Sequence, residues 1–192
     1  MNDHSSSSQS SDLLLRPVPK FLALLTAEPK QAYQKILSTA SDIGDCSHEE
    51  AAAPQYFFDQ ERSLVLIRSQ KQLDVPSTLG TVIKQKPVLN GLAHQTLHIS
   101  IRMETAFSFI FSPPADLGLH VPTLPKTQTQ NALRSSDSGT ALQTIELNIL
   151  GQIIDPKVFN SALHDGVGDH KESGLGLIRT YPTTRWNHPR FR

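Results

Sequence analysis

Apolar residues in the first half of the chain fall into short runs with two different periods. Residues 20–26 form a compact apolar run, which is typical of a buried strand. In residues 29–40, apolar side chains recur at helical spacing behind Pro29, and a proline suits the first turn of a helix. Three further strands are predicted next, at residues 55–60, 63–69 and 80–85.

The second half opens with a clear alternation of polar and apolar residues. This alternation predicts a strand over residues 96–103, and three phenylalanines continue it at positions 107, 109 and 111. Residues 112–140 are rich in Pro, Ser, Thr and Gln and predict a long loop, or at most a poorly specified helix. The chain then predicts a strand, a helix that Asp155 caps and Pro156 starts, a glycine-rich loop and a last strand, the two strands lying around residues 145–149 and 174–180.

Two segments share the order strand, acid-Pro-Lys, amphipathic helix, namely residues 20–37 and 146–163. Two strand–helix units of one kind predict an α+β fold of tandem ferredoxin-like domains. Residues 1–12 are polar and serine-rich, so their removal is expected to change neither folding nor ligand affinity. The predicted division is a disordered leader, an N-terminal domain, a C-terminal domain and a basic, aromatic tail, at residues 1–15, 16–92, 93–181 and 182–192.

Composition narrows the classes of function. The chain of 192 residues has 18 Lys+Arg and 18 Asp+Glu, and this zero balance argues against a sequence-blind binder of nucleic acid. The last 14 residues nevertheless hold four arginines and no acid. Cys46 is the sole cysteine, so no intrachain disulfide is possible. No apolar run reaches the roughly 18 residues of a spanning helix, and we expect a cytoplasmic protein without a membrane partner.

The glycine-rich loop, residues 166–176, is the strongest candidate for a binding site. Glycines allow backbone N–H groups to approach a phosphate, and Lys171 adds a positive charge at the same place. Alternatively, the glycines only turn the chain and let a helix pack on a strand. The loop is neither a Walker loop nor a dinucleotide-binding fingerprint.

The same segment resembles the C-terminus of CasE, the Cascade endoribonuclease of type I-E CRISPR systems, within the repeat-associated (RAMP) superfamily. That family carries a loop G-[IV]-G-x-x-K-x-x-G-x-G-L-[LI], which this chain supplies with Gly166, Val167, Gly168, Lys171, Gly174, Gly176, Leu177 and Ile178. Residues 67–88 and 97–105 also resemble the family, with its K-x-K segment at Lys84 and Lys86 and its strand that ends in an arginine at Arg102.

The resemblance implies a tandem pair of RNA-recognition-motif-like domains. It further implies that the chain binds the hairpin of a CRISPR repeat, cleaves precursor CRISPR RNA without a metal or cofactor, and stays on the product beside the backbone subunit of a Cascade-type complex. The residues expected to contact RNA are Lys84, Lys86, Arg102, Gly166, Gly168, His170, Lys171, Gly174, Gly176, Arg179, Arg185 and Trp186.

The catalytic position is where this chain departs from the family. Family members place a histidine on the first helix, where this chain has Tyr33. Lys30 lies one turn earlier on the same face and is hypothesised to lower the pKa of the phenol, which makes Tyr33 and Lys30 the candidate catalytic pair. Alternatively, Tyr33 is an aromatic at the edge of the core, and His48, His170 or a lysine moves the proton.

Other functions stay open at this point. The tail interleaves arginine with aromatic residues, which suits stacking on unpaired bases. It equally suits docking on a neighbouring subunit, or disorder. Two alternative functions for the whole chain follow: a non-catalytic RNA-binding subunit with the same fold, or an interaction subunit whose tail and loop contact protein. The acids and histidines at positions 164, 165, 169 and 170 lack the ligand spacing of a zinc site.

Overall fold

In the computed structural model, which describes residues 10–41, 53–108, 110–123, 126–134 and 141–183, the strands form two antiparallel sheets that follow one another along the chain. The first sheet has the order β2-β3-β1-β4, with two helices between its first and second strands. Its elements are β1 (Ser11–Pro17), α1 (Pro19–Ala27), α2 (Pro29–Ser41), β2 (Gln55–Asp59), β3 (Leu64–Ser69) and β4 (Gly80–Pro87).

The second sheet has the order β6-β8-β5-β9, and β7 also pairs with β8. Its elements are β5 (Thr96–Glu104), α3 (Thr105–Ser108), α4 (Pro113–Leu117), β6 (Leu119–His120), β7 (Lys126–Arg134), β8 (Ala141–Ile153), α5 (Pro156–Asp165), a 3₁₀ turn (Lys171–Ser173) and β9 (Ile178–Pro182). In each sheet the first strand lies between the third and the last, as in a ferredoxin-like unit. The predicted tandem ferredoxin-like α+β fold is thus confirmed.

Each sheet buries one set of alternating side chains under helices. On the first sheet, Leu13 and Leu15 of β1 and Val65 and Ile67 of β3 are at most 3% exposed, and the helices cover them with Phe21, Leu25, Ala32 and Ile36. On the second sheet, the core combines Ile99 and Ile101 of β5 with Phe159 and Leu163 of α5. Side chains on the opposite face of the first sheet remain for contact with the second unit.

The strand predicted at residues 20–26 was wrong, because these residues form helix α1. Pro19 stands at the first helical position, and Phe21 and Leu25 are buried one turn apart. A short apolar run of this length satisfies either period, so the run alone does not decide. Both acid-Pro-Lys segments begin a helix, but α2 follows helix α1 whereas α5 follows strand β8, so the two segments are not the same strand–helix unit.

The prediction for residues 105–140 also failed. The chain leaves β5 at Thr105 and turns into α3, and the rings of Phe107 and Phe111 pair at a centroid distance of 5.9 Å, while position 109 lies outside the described residues. The predicted long loop instead contains α4, β6 and β7. Strand β8 provides the reason, because its 13 residues leave an edge on which both β6 and β7 form backbone hydrogen bonds.

The predicted disordered leader ends too late. Strand β1 begins at Ser11, Ser10 is completely buried, and Asp12 is 6% exposed. Asp12 lies opposite Arg68 in the β1–β3 register and accepts two hydrogen bonds from its guanidinium group. Residues 10–12 are thus part of the folded structure, which argues against the expectation that residues 1–12 are dispensable, whereas residues 1–9 lie outside the described part. The boundary predicted at residues 92 and 93 falls between β4 and β5.

We predict that Asp12→Ala destabilises the fold by about 3 kcal/mol, because the variant leaves the guanidinium of Arg68 buried without its carboxylate. Urea unfolding followed by circular dichroism measures the change. Asp74→Ala is the matched control, since Asp74 is exposed. Equal unfolding midpoints for the two variants would show that the buried ion pair does not hold β1 in place.

Candidate functional site

The C-terminal end of helix α5 is where the two sheets meet. Arg68 Nη1 donates a hydrogen bond to the carbonyl of Leu163 at 2.8 Å, Gln55 Nε2 to that of His164 at 2.6 Å, and Lys171 Nζ to that of Asp165 at 2.6 Å. The last carbonyls of a helix have no partner within it and carry the negative end of its dipole. Two donors from the first sheet and one from the glycine-rich loop therefore cap α5.

Arg68 is the central residue of this cap. Its guanidinium group is 3% exposed and makes two hydrogen bonds with Asp12, at 2.7 and 3.1 Å, and a further one with the carbonyl of Ile178 at 2.8 Å. Asp12, Arg68 and Gln55 lie opposite one another on β1, β3 and β2. This polar row projects from the sheet face opposite α1 and α2, so the cation is buried with its charge paired.

A second contact between the units surrounds the ring of Phe57 on β2. The guanidinium carbon of Arg102 lies 4.4 Å from the ring centroid, and that of Arg179 lies 3.6 Å away. Glu146 contacts both arginines, and Arg102 Nη1 donates to the carbonyl of Phe58 at 3.0 Å. Burial lowers the pKa of each arginine to about 10, which still leaves both charged at neutral pH.

Arg102 and Arg179 are thus engaged inside the junction. Their side chains are 13% and 12% exposed, and their charges face Glu146 rather than solvent. Contact of either residue with RNA stays a prediction. Their role in the described structure is to join strands β5 and β9 to the ring of Phe57.

The glycine-rich loop needs its glycines for local geometry. Gly166, Gly168, Gly174 and Gly176 all have φ between +72° and +81°, where other residues are strained. A Cβ at Gly176 would lie 2.1 Å from the carbonyl oxygen of Val167, and one at Gly174 would lie 3.0 Å from the ring of Tyr56. The structure therefore supports the alternative interpretation, in which the glycines turn the chain and allow close packing. Contact with phosphate stays a prediction.

The loop, strand β2 and the start of helix α2 converge at Tyr56. The hydroxyl of Tyr56 lies 3.3 Å from the carbonyl oxygen of Pro29 and 3.2 Å from that of Glu172. Its ring stacks on Tyr33, with centroids 5.9 Å apart and 24° between the planes. The candidate catalytic residues on α2 thereby lie next to the loop that the sequence identified separately.

Tyr33 itself is part of the core, with 9% of its surface exposed. Burial, and after it the charge of Glu172, raises the pKa of the phenol. The direction is opposite to the one hypothesised from Lys30, and the catalytic pairing of Tyr33 with Lys30 stays a prediction. A phenol whose pKa exceeds the usual value of about 10 is a poor base at neutral pH.

His170 lies at the surface of the same loop. Its Nε2 is 3.5 Å from Glu104 Oε2 at the end of β5, and its Nδ1 is 3.4 Å from Glu172 Oε1. Its backbone has φ of 60°, and the side chain is 38% exposed. The imidazole ring thus lies partly exposed between two carboxylates, one from the end of β5 and one from the loop itself.

The remaining predicted RNA contacts divide into two groups. Lys84 and Lys86 are exposed on β4, the edge strand of the first sheet, and share a face with the polar row of Asp12 and Arg68. Arg185 and Trp186 lie outside the described residues, as do Cys46 and His48.

His164, which the sequence also singled out, has both ring nitrogens engaged. Nδ1 lies 2.8 Å from the hydroxyl of Ser10, and Nε2 lies 2.7 Å from Asn90 Oδ1. Because the amide oxygen only accepts, Nε2 carries the proton and Nδ1 accepts from Ser10. Burial, and after it the charge of Arg68, lowers the pKa of the ring, which is therefore held neutral.

Searches of the described ranges found neither a metal site nor a membrane helix. Within residues 10–41, 53–108, 110–123, 126–134 and 141–183, no three His, Cys, Asp or Glu side chains are placed to hold a metal ion. No helix in these ranges is both long and apolar enough to cross a bilayer.

Comparison with known proteins gave matches among solved structures. No protein-family model and no curated sequence matches the chain. Thermus thermophilus Cse3, bound to an RNA representing a pre-cleavage complex, is 18% identical, with a TM-score of 0.73 over 91% of this chain and 100% of that chain. The CRISPR-associated protein Cas6e from Escherichia coli K-12 is 14% identical, with a TM-score of 0.62 over 91% and 99%.

A subunit of a CRISPR RNA-guided surveillance complex is similar as well, at 16% identity, with a TM-score of 0.62 over 88% of this chain and 98% of that chain. The chain has the fold of these proteins. The fold that the sequence resemblance implied, that of a CRISPR-associated endoribonuclease, is confirmed along most of its length.

Sequence reasoning missed the residues that join the two units. Asp12 was placed in the leader, and Arg68, Phe57 and Glu146 were not singled out. One signal was present, because Arg68 follows four apolar residues of strand β3, and a charge at that place is either exposed or paired. Its partner cannot be found from the pattern, since pairing depends on strand order.

We predict that stability depends on pH through His164. Its pKa in the folded state is lower than the usual 6.5, so the unfolded chain binds a proton first as the pH falls. The contribution of His164 to the free energy of unfolding is therefore fully present above about pH 6.5. It declines below that pH, by at most ~1.4 kcal/mol per pH unit.

His164→Gln should flatten this dependence between pH 5 and pH 7, as measured by urea unfolding at each pH. The flattening is partial, because burial also lowers the pKa of His98, which the variant retains. Parallel curves for wild type and variant would rule out the neutral ring of His164 as a source of the dependence.

Proposed function

We propose that this chain binds the hairpin RNA of a CRISPR repeat, cleaves precursor CRISPR RNA at the base of the hairpin without a metal ion, and remains on the product as a subunit of a Cascade-type complex. One observation carries the proposal. The fold matches, over 91% of this chain, an endoribonuclease whose solved structure contains RNA, and the glycine-rich loop lies beside the helix on which the family resemblance placed the catalytic group.

The arrangement of charge supports RNA contact at the open edge of the first sheet. Lys84 and Lys86 alternate along β4, so both ammonium groups project from the face opposite α1 and α2. Phosphates of an RNA strand are contacted by such exposed cations. Lys171 adds a third contact, because an ammonium group has three donors and the carbonyl of Asp165 takes one of them.

The proposed cleavage uses the 2′-hydroxyl of the RNA as nucleophile, so the protein has to position the strand and transfer protons. A second function is favoured by one specific observation. Tyr33 occupies the position of the family histidine and is buried with a raised pKa, which suits a subunit that binds CRISPR RNA without cutting it.

We expect the wild-type chain to cut a labelled repeat hairpin in EDTA and to leave a 2′,3′-cyclic phosphate. The RNA is the repeat of a CRISPR array from the same genome, and gel electrophoresis with end-group analysis identifies the product. The same RNA with a 2′-deoxynucleotide before the scissile phosphate is the control, and it should bind without being cut. Cleavage that requires a divalent metal would contradict the proposal, and binding without cutting would establish the second function.

Tyr33→Phe should change the cleavage rate less than about threefold, because it removes only a hydroxyl from a ring that packs against Tyr56. Tyr33→Ala should instead lower the free energy of unfolding by about 3 kcal/mol, since it leaves a cavity in the core. Single-turnover cleavage and urea unfolding separate the two effects. If Tyr33→Phe abolished cutting and preserved RNA affinity, Tyr33 would be the proton-transfer group after all.

A further inference from the structure

Helix α2 of this chain carries no histidine, whereas the glycine-rich loop beside it carries His170. We infer that His170 is the catalytic base, which takes the proton from the 2′-hydroxyl of the RNA at the cleavage site. This inference rests on the proposed function and deepens it, since it assigns the reaction to a residue that the resemblance connects only with RNA binding. Three independent features of His170 lead to it.

The first feature is the backbone at His170, whose φ is 60°. Side chains other than glycine rarely adopt this conformation, and asparagine tolerates it better than most. Among the described non-glycine residues with positive φ, namely Ser63, His94 and His170, the last alone lies in the glycine-rich loop. Glycine would fit this position of the loop more easily than histidine, so the presence of histidine here is consistent with a use for its side chain.

The second feature is a pair of carboxylates from two different elements. Glu104 lies 3.5 Å from Nε2 and Glu172 lies 3.4 Å from Nδ1. Both distances exceed the 2.7–3.2 Å of a good hydrogen bond, and both carboxylate side chains are about one-third exposed. One carboxylate can therefore orient the ring while the other gives way to a substrate oxygen.

Glu172 is the better candidate for the orienting partner. Its backbone carbonyl lies 3.2 Å from the hydroxyl of Tyr56, whose ring stacks on Tyr33. The two tyrosines thus seat the 3₁₀ turn that carries Glu172 next to His170. Nε2 is left to face the scissile bond, with Glu104 displaced by the RNA.

The third feature is that the neighbouring side chains have other roles. Tyr33 is buried in the core. The ammonium group of Lys171 donates to the carbonyl of Asp165. Both ring nitrogens of His164 are held by Ser10 and Asn90. Histidine is the usual side chain for proton transfer near neutral pH, and His170 presents one at the surface of this junction.

The reaction balances with water as the only other participant. His170 takes the proton of the 2′-hydroxyl, the 2′-oxygen bonds to phosphorus, and the bond from phosphorus to the 5′-oxygen breaks. The leaving 5′-oxygen receives a proton from water, and the imidazolium returns its own proton to the solvent. The products are a 2′,3′-cyclic phosphate and a 5′-hydroxyl.

His170→Asn tests the inference, because asparagine suits the backbone conformation but moves no proton near neutral pH. We expect the single-turnover cleavage rate of the repeat hairpin to fall at least about 100-fold. Affinity for the 2′-deoxy hairpin should stay within about threefold, and the thermal midpoint should not fall. His94→Asn is the matched control, since His94 is exposed with φ of 64° and should cut at the wild-type rate.

Chemical rescue gives a readout that a structural role would not move. Added imidazole should restore part of the cleavage rate to His170→Gly, a variant that also suits positive φ. Wild-type cutting by His170→Asn would overturn the inference and leave the proposed function intact. Loss of affinity together with cutting would overturn it too, by showing that His170 contacts RNA. A wild-type chain that binds and never cuts would overturn both the inference and the catalytic half of the proposed function.

Discussion

The rest of this structure depends on the capping of one helix end. The final carbonyls of α5 have no helical partner, and they lie between two sheets, where they need protein donors in place of water. Arg68 and Gln55 of the first sheet supply two of these donors, and Lys171 of the loop supplies the third. A cation is favoured at this end by the helix dipole as well. The cap thus joins the two ferredoxin-like units through hydrogen bonds from side chains to the backbone carbonyls of α5.

The cap has consequences that spread through the first unit. A buried guanidinium needs a carboxylate, so β1 has to extend to Asp12, and the strand begins earlier than its apolar residues indicate. Arg102 and Arg179 follow the same rule around Phe57, with Glu146 as their counter-charge. Formal charge is therefore a poor guide to the surface of this protein, since these three arginines and two carboxylates are largely buried inside it. Exposed cations such as Lys84 and Lys86 remain for a polyanion.

Periodicity predicted the elements whose burial is one-sided. Strand β5 alternates cleanly, and α5 has its Asp155 cap, Pro156 start and apolar stripe, so both were placed correctly. The prediction for the residues of helix α1 failed because a short apolar run fits the period of a strand as well as that of a helix. Strand β7 was not predicted because its formation depends on pairing with the edge of β8, which the local sequence does not reveal. The tandem fold was still predicted correctly, because enough helices and strands with one buried face were placed correctly.

The candidate site was harder to predict than the fold, because its chemistry depends on neighbours far along the chain. The sequence predicted separately that α2 and the glycine-rich loop belong to the functional site, and the structure shows that Tyr56 contacts both. The pKa of Tyr33 was predicted from Lys30 one turn away, yet burial and Glu172 determine its direction. Neither influence is visible in a helical pattern.

The same contacts bear on the proposal that the catalytic side chain lies on a loop and not on helix α2. A catalytic side chain has to be held in place by its surroundings, and loops are commonly less rigid than helices. Here Lys171, next to His170, is fixed to the end of α5, and the turn that carries Glu172 is held by Tyr56. The cap that joins the two units therefore also anchors the loop next to His170. In the proposed mechanism, the aromatic packing of Tyr33 and Tyr56 supports the loop, and the loop carries the histidine that takes the proton.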